Sequence, residues 1–269
     1  MKRLAGRNVL VTGGSSGIGQ AIAVRFADEG ANVAINYRKS ADEAEETESM
    51  VKHACEAVKE VGCKNIVVGA DVSNEQEVKD MFGQVIDEWG RLDVLINNAG
   101  IQKSAPSVET IIQDFDQVLN VNLRGAFLCA REALDHFLER GEGGVIINNS
   151  SVHEVIPKPD FIGYSVSKGG MGNMTKTLAL EYAGDGVRVN SIGPGAIVTP
   201  INKSWIDDPA RKESVEKHIP MGRAGTASEI AAVAAFLASD DASYITGQTI
   251  YACGGLTLYP DFRTAWSSE

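Results

Sequence analysis

Thr12-Gly13-Gly14-Ser15-Ser16-Gly17-Ile18-Gly19 stands between a short aliphatic run, residues 8–12, and a segment of helical periodicity, residues 18–27. A strand that turns on glycines straight into a helix leaves the first N–H groups of that helix without intrahelical partners. Working outward, aliphatic runs of strand length recur at 32–37, 65–69, 93–96, 145–148, 187–192 and 248–251. Segments with helical spacing lie between them at 75–89, 115–137, 171–182 and 227–237. Parallel neighbours need a crossover connection. Regular alternation of strand and helix therefore predicts an α/β fold, a parallel sheet of about seven strands with helices on both faces. No repeat or low-complexity linker divides the 269 residues, which read as a single domain, 1–269. Residues 195–225 interrupt the alternation, are rich in Pro and Gly, and form a candidate substrate lid.

With 43% hydrophobic and 23% charged residues, the chain has the composition of a folded globular protein. Its 25 basic and 36 acidic residues give a net charge of −11, which repels nucleic acid backbones and acidic membrane surfaces. No run approaches the length of a membrane span, and Met1-Lys2-Arg3 is not followed by an export-type apolar stretch, so a cytoplasmic location is expected. Cys55, Cys63, Cys129 and Cys253 lack metal or redox spacing and are expected to serve as small buried apolar residues, with no metal site. The acidic helical stretch 41–60, with Asp42, Glu43, Glu45, Glu46 and Glu48, reads as a solvated face.

A pyrophosphate fits over a helix start only where backbone can approach it closely, which gives Gly13, Gly17 and Gly19 a reason to lack side chains; an ordinary tight turn uses glycine too. The second strand ends at Asn36-Tyr37-Arg38. A carboxylate at this tip would bind ribose hydroxyls, whereas Arg38 can pair with a 2′-phosphate, so NADP is favoured and NAD tolerated; the alternative is a surface arginine without a ligand. Asp71-Val72 follows the third strand and Asn97-Asn98-Ala99-Gly100 ends the fourth, at the sheet edge where ligands of open parallel sheets lie.

Tyr164 and Lys168 are four residues apart, hence on one face if this segment is helical. A cation near a phenol can lower its pKa from about 10 by roughly 1 to 3 units and so make a general base, although such a pair is also an ordinary helix surface. Ser150 and Ser151 end the fifth strand at the same sheet edge and could hold a substrate oxygen, or cap a loop. Asn122 interrupts an apolar helical pattern, as a packed core asparagine or as part of a site.

Taken together, these residues resemble the short-chain dehydrogenase/reductase family over nearly the full length. The resemblance implies a Rossmann-type doubly wound sheet and an NAD(P)-dependent oxidoreductase. It selects Ser151, thirteen residues before the tyrosine, over Ser150. The implied roles are Tyr164 as acid/base, Lys168 lowering its pKa and holding the nicotinamide ribose, Ser151 orienting the substrate oxygen, and Asn122 supporting a proton-relay water. The dinucleotide is implied to lie against Gly13, Ser15, Ser16, Gly17, Ile18 and Gly19, then Tyr37, Arg38, Asp71, Val72, Asn98, Ala99 and Gly100. Beyond Tyr164 and Lys168, Pro194, Gly195, Ile197 and Thr199 complete the implied contact set.

Within the family, the blocks 150–157, 193–202, 219–222 and 254–260 resemble those of glucose 1-dehydrogenases, which oxidise the anomeric hydroxyl of β-D-glucose to the lactone. Substrate contacts are then expected from Ser151, His153, Glu154, Tyr164 and Asn202, although His153 and Glu154 could equally face solvent. The chain departs from that pattern at Lys158, where an aromatic residue is common, at Gly163, and at Cys253, where aspartate is common. The alternative activity is reduction of 3-oxoacyl or small keto substrates. A nucleotide sensor or a scaffold would not require Ser151, Tyr164 and Lys168 together. The resemblance also implies a homotetramer built on the long helices, with Tyr259 and Trp266 reaching a neighbour or folding back.

Overall fold

In the computed structural model of the chain, residues 2–38, 41–57 and 63–258 are described. The elements run β1 (Asn8–Val11), α1 (Gly17–Asp28), β2 (Asn32–Tyr37), α2 (Ala41–Ala57), β3 (Asn65–Gly69), α3 (Glu75–Trp89) and β4 (Val94–Asn97). They continue with α4 (Ile112–Leu119), α5 (Ala126–Arg140), β5 (Gly144–Asn149), α6 (Ile162–Tyr182), β6 (Val187–Pro194), β7 (Ile197–Val198), α7 (Lys203–Ile206), α8 (Pro209–Glu216), β8 (Gly225–Thr226), α9 (Ala227–Ala238) and β9 (Thr249–Ala252). Seven strands form one parallel sheet in the order β3-β2-β1-β4-β5-β6-β9, as the alternation predicts.

Side chains of a strand alternate between faces, and here that period divides the core. Val9 and Val11 join Ile22 and Phe26 of α1 and Ile230 and Ala234 of α9 on one face. Leu10 faces the other way, into a layer with Val78 and Met81 of α3 and Cys129 and Phe137 of α5. Strands buried on both faces account for the unbroken aliphatic runs in the sequence. The chain leaves β1 towards β2 and β3, then returns to β4 on its other side, so a crevice opens at the carboxyl ends of β1 and β4.

Several expectations change. The helical segment 115–137 is two α-helices joined by a π-helical turn over Asn120–Gly125, which holds Asn122. At Gly125 a Cβ would stand 2.9 Å from Val72 Cγ2 and 3.0 Å from its carbonyl oxygen, so this turn runs tight against the end of β3. Residues 195–225 carry α7 and α8, and β7 pairs with β8 in a separate two-stranded sheet. Cys129 and Cys253 are buried thiols, but Cys63 is only half-buried and is disulfide-bonded, so its small-apolar reading is corrected. The Cys55 side chain, the end of the acidic stretch, Tyr259 and Trp266 lie outside the described residues. Among the described residues no helix is long and apolar enough to cross a membrane.

Phe26 is fully buried between α1 and the sheet. Phe26→Ala is expected to lower the unfolding free energy by about 3–5 kcal/mol, read from urea denaturation; a loss below about 1 kcal/mol would contradict this packing.

Candidate active site

Polar side chains at the strand ends fasten the crevice together. Thr12 Oγ1 donates to the Ile96 carbonyl at 3.2 Å and accepts from the N–H groups of Asn98 at 3.0 Å and Ala99 at 3.1 Å. Asn98 Nδ2 donates to the carbonyls of Thr12 and Gly13 at 3.0 and 2.9 Å, and Asn98 Oδ1 accepts from Asn149 Nδ2 at 2.8 Å. The Gly13 N–H donates to Asn36 Oδ1 at 3.1 Å. The ends of β1, β2, β4 and β5 are thereby fixed relative to the glycine turn.

Gly17 has φ +57°, a left-handed conformation that glycine adopts without strain. Gly19 is required for a different reason from the one its sequence position suggests. A Cβ there would lie 2.3 Å from the Gly13 carbonyl oxygen and 2.4 Å from Asn98 Nδ2, so the constraint is internal packing. Gly19 does not line the cleft.

The cleft encloses about 670 Å³, within the range of about 300–1,000 Å³ typical of ligand sites. Apart from Gly19, every residue expected to hold the dinucleotide lines it, from Gly13 to Thr199. Ser16, the N-cap of α1, makes no side-chain cap hydrogen bond, so the helix start keeps donors for an anionic group. Asn149 Oδ1, on a lining residue, is buried without a partner. An uncapped, glycine-lined helix start and an unpartnered buried oxygen in one crevice fit a nicotinamide dinucleotide. At the opposite end Arg38 Nη1 lies 3.6 Å from Asp71 Oδ2. Burial pushes the Asp71 carboxyl up, but hydrogen bonds from Ser73 and the Arg38 charge outweigh it and hold the pKa below its ordinary value.

Tyr164 and Lys168 occupy the first two turns of α6, and both face the cleft. Lys168 is buried and Nζ donates to the Asn149 carbonyl at 2.7 Å. Burial pulls its pKa down to about 8, against which the Glu154 carboxylate acts. Burial raises the Tyr164 pKa, partly offset by a hydrogen bond with the Ser151 side chain. The lowering of that phenol by Lys168 is therefore not found in this structure. The ammonium is committed to a main-chain oxygen and stands 5.7 Å from the Tyr164 ring centroid.

Ser151 meets Tyr164, whereas Ser150 Oγ turns to the Lys168 carbonyl at 3.4 Å. Asn122 is fully buried and outside the cleft wall. Its Oδ1 accepts from the Ile101 N–H at 2.8 Å, and its Nδ2 donates to the Ile101 carbonyl at 2.9 Å and to Ser167 Oγ at 3.1 Å. Ser167 Oγ donates in turn to the Tyr164 carbonyl at 2.7 Å. Asn122 thus positions the turn that carries Tyr164 from behind the cleft-lining Ile101.

His153 lines the cleft, with its ring edge-on to Tyr164 at 6.1 Å between centroids. Its Nδ1 lies 2.9 Å from the Ile156 carbonyl, which can only accept, so the neutral ring carries its proton there and offers Nε2 as an acceptor. Burial and the Lys158 charge lower its pKa against that hydrogen bond, favouring the neutral form. Glu154 corrects the substrate expectation. It points away from the cleft, where Oε1 accepts from Thr249 Oγ1 at 2.9 Å and the Tyr251 hydroxyl at 3.3 Å, and its carboxyl packs on α6 at Gly172. Asn202 lines the cleft but donates Nδ2 to the Ile197 carbonyl at 2.9 Å.

Sequence reasoning missed Asn149 and Trp205 as lining residues. Asn149 had a signal, since a polar residue closing an aliphatic strand at the ligand edge has few reasons to be there; Trp205 sits on a four-residue helix with no periodicity to read.

A family model described as "Enoyl-(Acyl carrier protein) reductase" matches residues 13–257. The chain is 51% identical over 266 residues to a glucose 1-dehydrogenase of Gluconobacter oxydans, covering 99% of this chain and 97% of the relative. It is 48% identical over 260 residues to 3beta-hydroxysteroid dehydrogenase 1 of Eggerthella lenta, covering 97% of each. Among solved structures, a candidate 2-deoxy-D-gluconate 3-dehydrogenase of Agrobacterium tumefaciens with bound NADP superposes with a TM-score of 0.87 at 34% identity, over 96% of this chain and 99% of that one.

Gly19→Ala drives a methyl group into the glycine turn, at a cost on the order of 1–3 kcal/mol. A lower melting temperature together with at least about tenfold weaker dinucleotide binding by fluorescence titration is expected; wild-type values in both would refute the packing reason.

Proposed function

The chain belongs to the short-chain dehydrogenase/reductase family and is an oxidoreductase acting on CH–OH groups, and from that premise we propose that it oxidises the anomeric hydroxyl of β-D-glucose to the lactone, with NADP favoured over NAD. The observation that carries the chemistry is the meeting of Tyr164, Ser151 and Lys168 in one cleft with the uncapped start of α1. The similarity to a glucose 1-dehydrogenase over almost the whole length supports the sugar. The hydroxysteroid relative keeps reduction of keto compounds as the second reading.

The dinucleotide, when bound, supplies the two-electron acceptor for the hydrogen on the reacting carbon. The protein's own part is the proton. Ser151 holds the substrate oxygen next to Tyr164, and the Tyr164 phenolate takes the hydroxyl proton as the C–O bond gains double-bond character. Lys168, still largely protonated at pH 7, donates to ribose hydroxyls and keeps a positive charge in the wall. Asn122 acts through Ser167 on the Tyr164 turn. Trp205, on the 195–225 lid segment, lines the cleft and helps exclude water from it. Exposed apolar side chains on α5 and α6, Phe127, Val166 and Leu180 among them, support assembly into a homotetramer.

Because the working base is a phenolate whose pKa lies above the ordinary 10.0, the basic fraction grows as pH rises through 6 to 10. Oxidation kcat/KM at saturating NADP should climb from pH 6 to 8, the part of the rise over which Lys168 keeps its charge. Tyr164→Phe should lose about 10²–10⁴-fold and the climb with it, while binding NADP normally. A flat wild-type profile, or a phenylalanine variant with the same slope, would exclude Tyr164 as the base.

Arg38 is one-third exposed and its bond to Asp71 is a surface pair worth at most about 1 kcal/mol, so a 2′-phosphate can draw it away. Arg38→Asp should shift the NADP-to-NAD ratio of kcat/KM towards NAD by about tenfold or more. An unmoved ratio would show that Arg38 does not meet the phosphate.

A further inference from the structure

Lys158 stands on the loop between β5 and α6 and lines the cleft at its reacting end, beside His153. Its Nζ lies 3.6 Å over the centroid of the Phe161 ring. The side chain is half-buried, and burial pushes its pKa below the ordinary value. Among the described residues no carboxylate lies within ion-pair distance of it. The carboxylate of the cleft wall, Asp71, is at the adenosine end and faces Arg38. Glu154, near in sequence, is turned to Thr249 and Tyr251. Lys158 is therefore a partly desolvated ammonium with an aromatic face beneath it and, among the described residues, no oxygen acceptor.

An ammonium has three donors and accepts nothing, so whatever satisfies it must bring oxygen lone pairs. Its neighbours supply the complementary half. His153 Nε2 is an acceptor for a hydroxyl proton, and Ser151 serves either way. An apolar ring pressed into this corner would strip water from Lys158 and give nothing back, whereas a polyhydroxylated ring replaces that water with its own oxygens.

We infer that Lys158 is a specificity-determining residue of the substrate end, selecting polyhydroxylated ring alcohols over apolar rings of the same size through donation to a hydroxyl remote from the reacting carbon. This rests on the reading that the cleft oxidises a sugar.

The test compares kcat/KM for β-D-glucose and for cyclohexanol, the same ring size without the further hydroxyls, in wild type, Lys158→Met and Lys158→Arg, with NADP affinity and melting temperature measured alongside. Lys158→Met should lose about 10- to 100-fold on glucose, chiefly through KM, with cyclohexanol unchanged or improved. Its NADP affinity should be that of wild type, and Lys158→Arg should keep most of the glucose preference. If wild type oxidises glucose but Lys158→Met leaves the glucose-to-cyclohexanol ratio unaltered, the Lys158 inference alone falls. A wild type that turns over cyclohexanol and not glucose, or neither, overturns the sugar reading and this inference together. A methionine variant with lowered melting temperature is judged on the ratio, because misfolding lowers both rates alike and leaves the ratio unmoved.

Discussion

The Lys168 ammonium, buried and held 2.7 Å from the Asn149 carbonyl oxygen, ties the end of β5 to the second turn of α6. That one bond decides where the rest of the site can be. It sets the azimuth of α6 about the sheet, and with it the place of Tyr164 one turn earlier. Burial at this depth weakens the amine's hold on its proton. Glu154 opposes that loss from behind the helix, and the Met171 sulfur lies 3.9 Å from the ammonium. With a single strong acceptor taken, the ammonium keeps donor capacity for a ligand in the cleft.

The polar strand ends give this arrangement its frame. Thr12, Asn98 and Asn149 exchange hydrogen bonds across three strands, so the glycine turn and the base of the Tyr164 helix are parts of one network. Buried polar groups of this kind are costly unless satisfied, and Asn149 Oδ1, one of the buried side-chain atoms left without a partner, belongs to a cleft-lining residue. The same economy explains Asn122, whose carboxamide satisfies both main-chain groups of Ile101.

Much of this was legible in the sequence, for a reason that can be stated. Strands buried on both faces must be aliphatic, helices between them must be amphipathic, and the switch between those two periods marks each element, as at Glu75–Trp89. Local spacing likewise put Tyr164 and Lys168 on one helical face. Orientation was not legible where it depends on distant partners. His153 and Glu154 are adjacent, yet one enters the cleft and the other leaves it because Thr249 and Tyr251 of β9 supply hydrogen bonds from the far edge of the sheet. The direction of the Tyr164 pKa shift was hidden similarly, since it turns on what Lys168 bonds to and how deeply both are buried. Gly19 was placed in the motif correctly, while the contact that demands it, with Gly13 and Asn98, needed the folded turn.

The most direct measurement is a titration of the Lys168 amine by NMR in protein labelled with 15N-lysine, its resonance assigned by loss in Lys168→Met. A buried ammonium on the Asn149 carbonyl predicts that this one signal titrates near pH 8. Titration near the ordinary lysine value of 10.5 would contradict a desolvated Lys168 amine at the centre of the cleft.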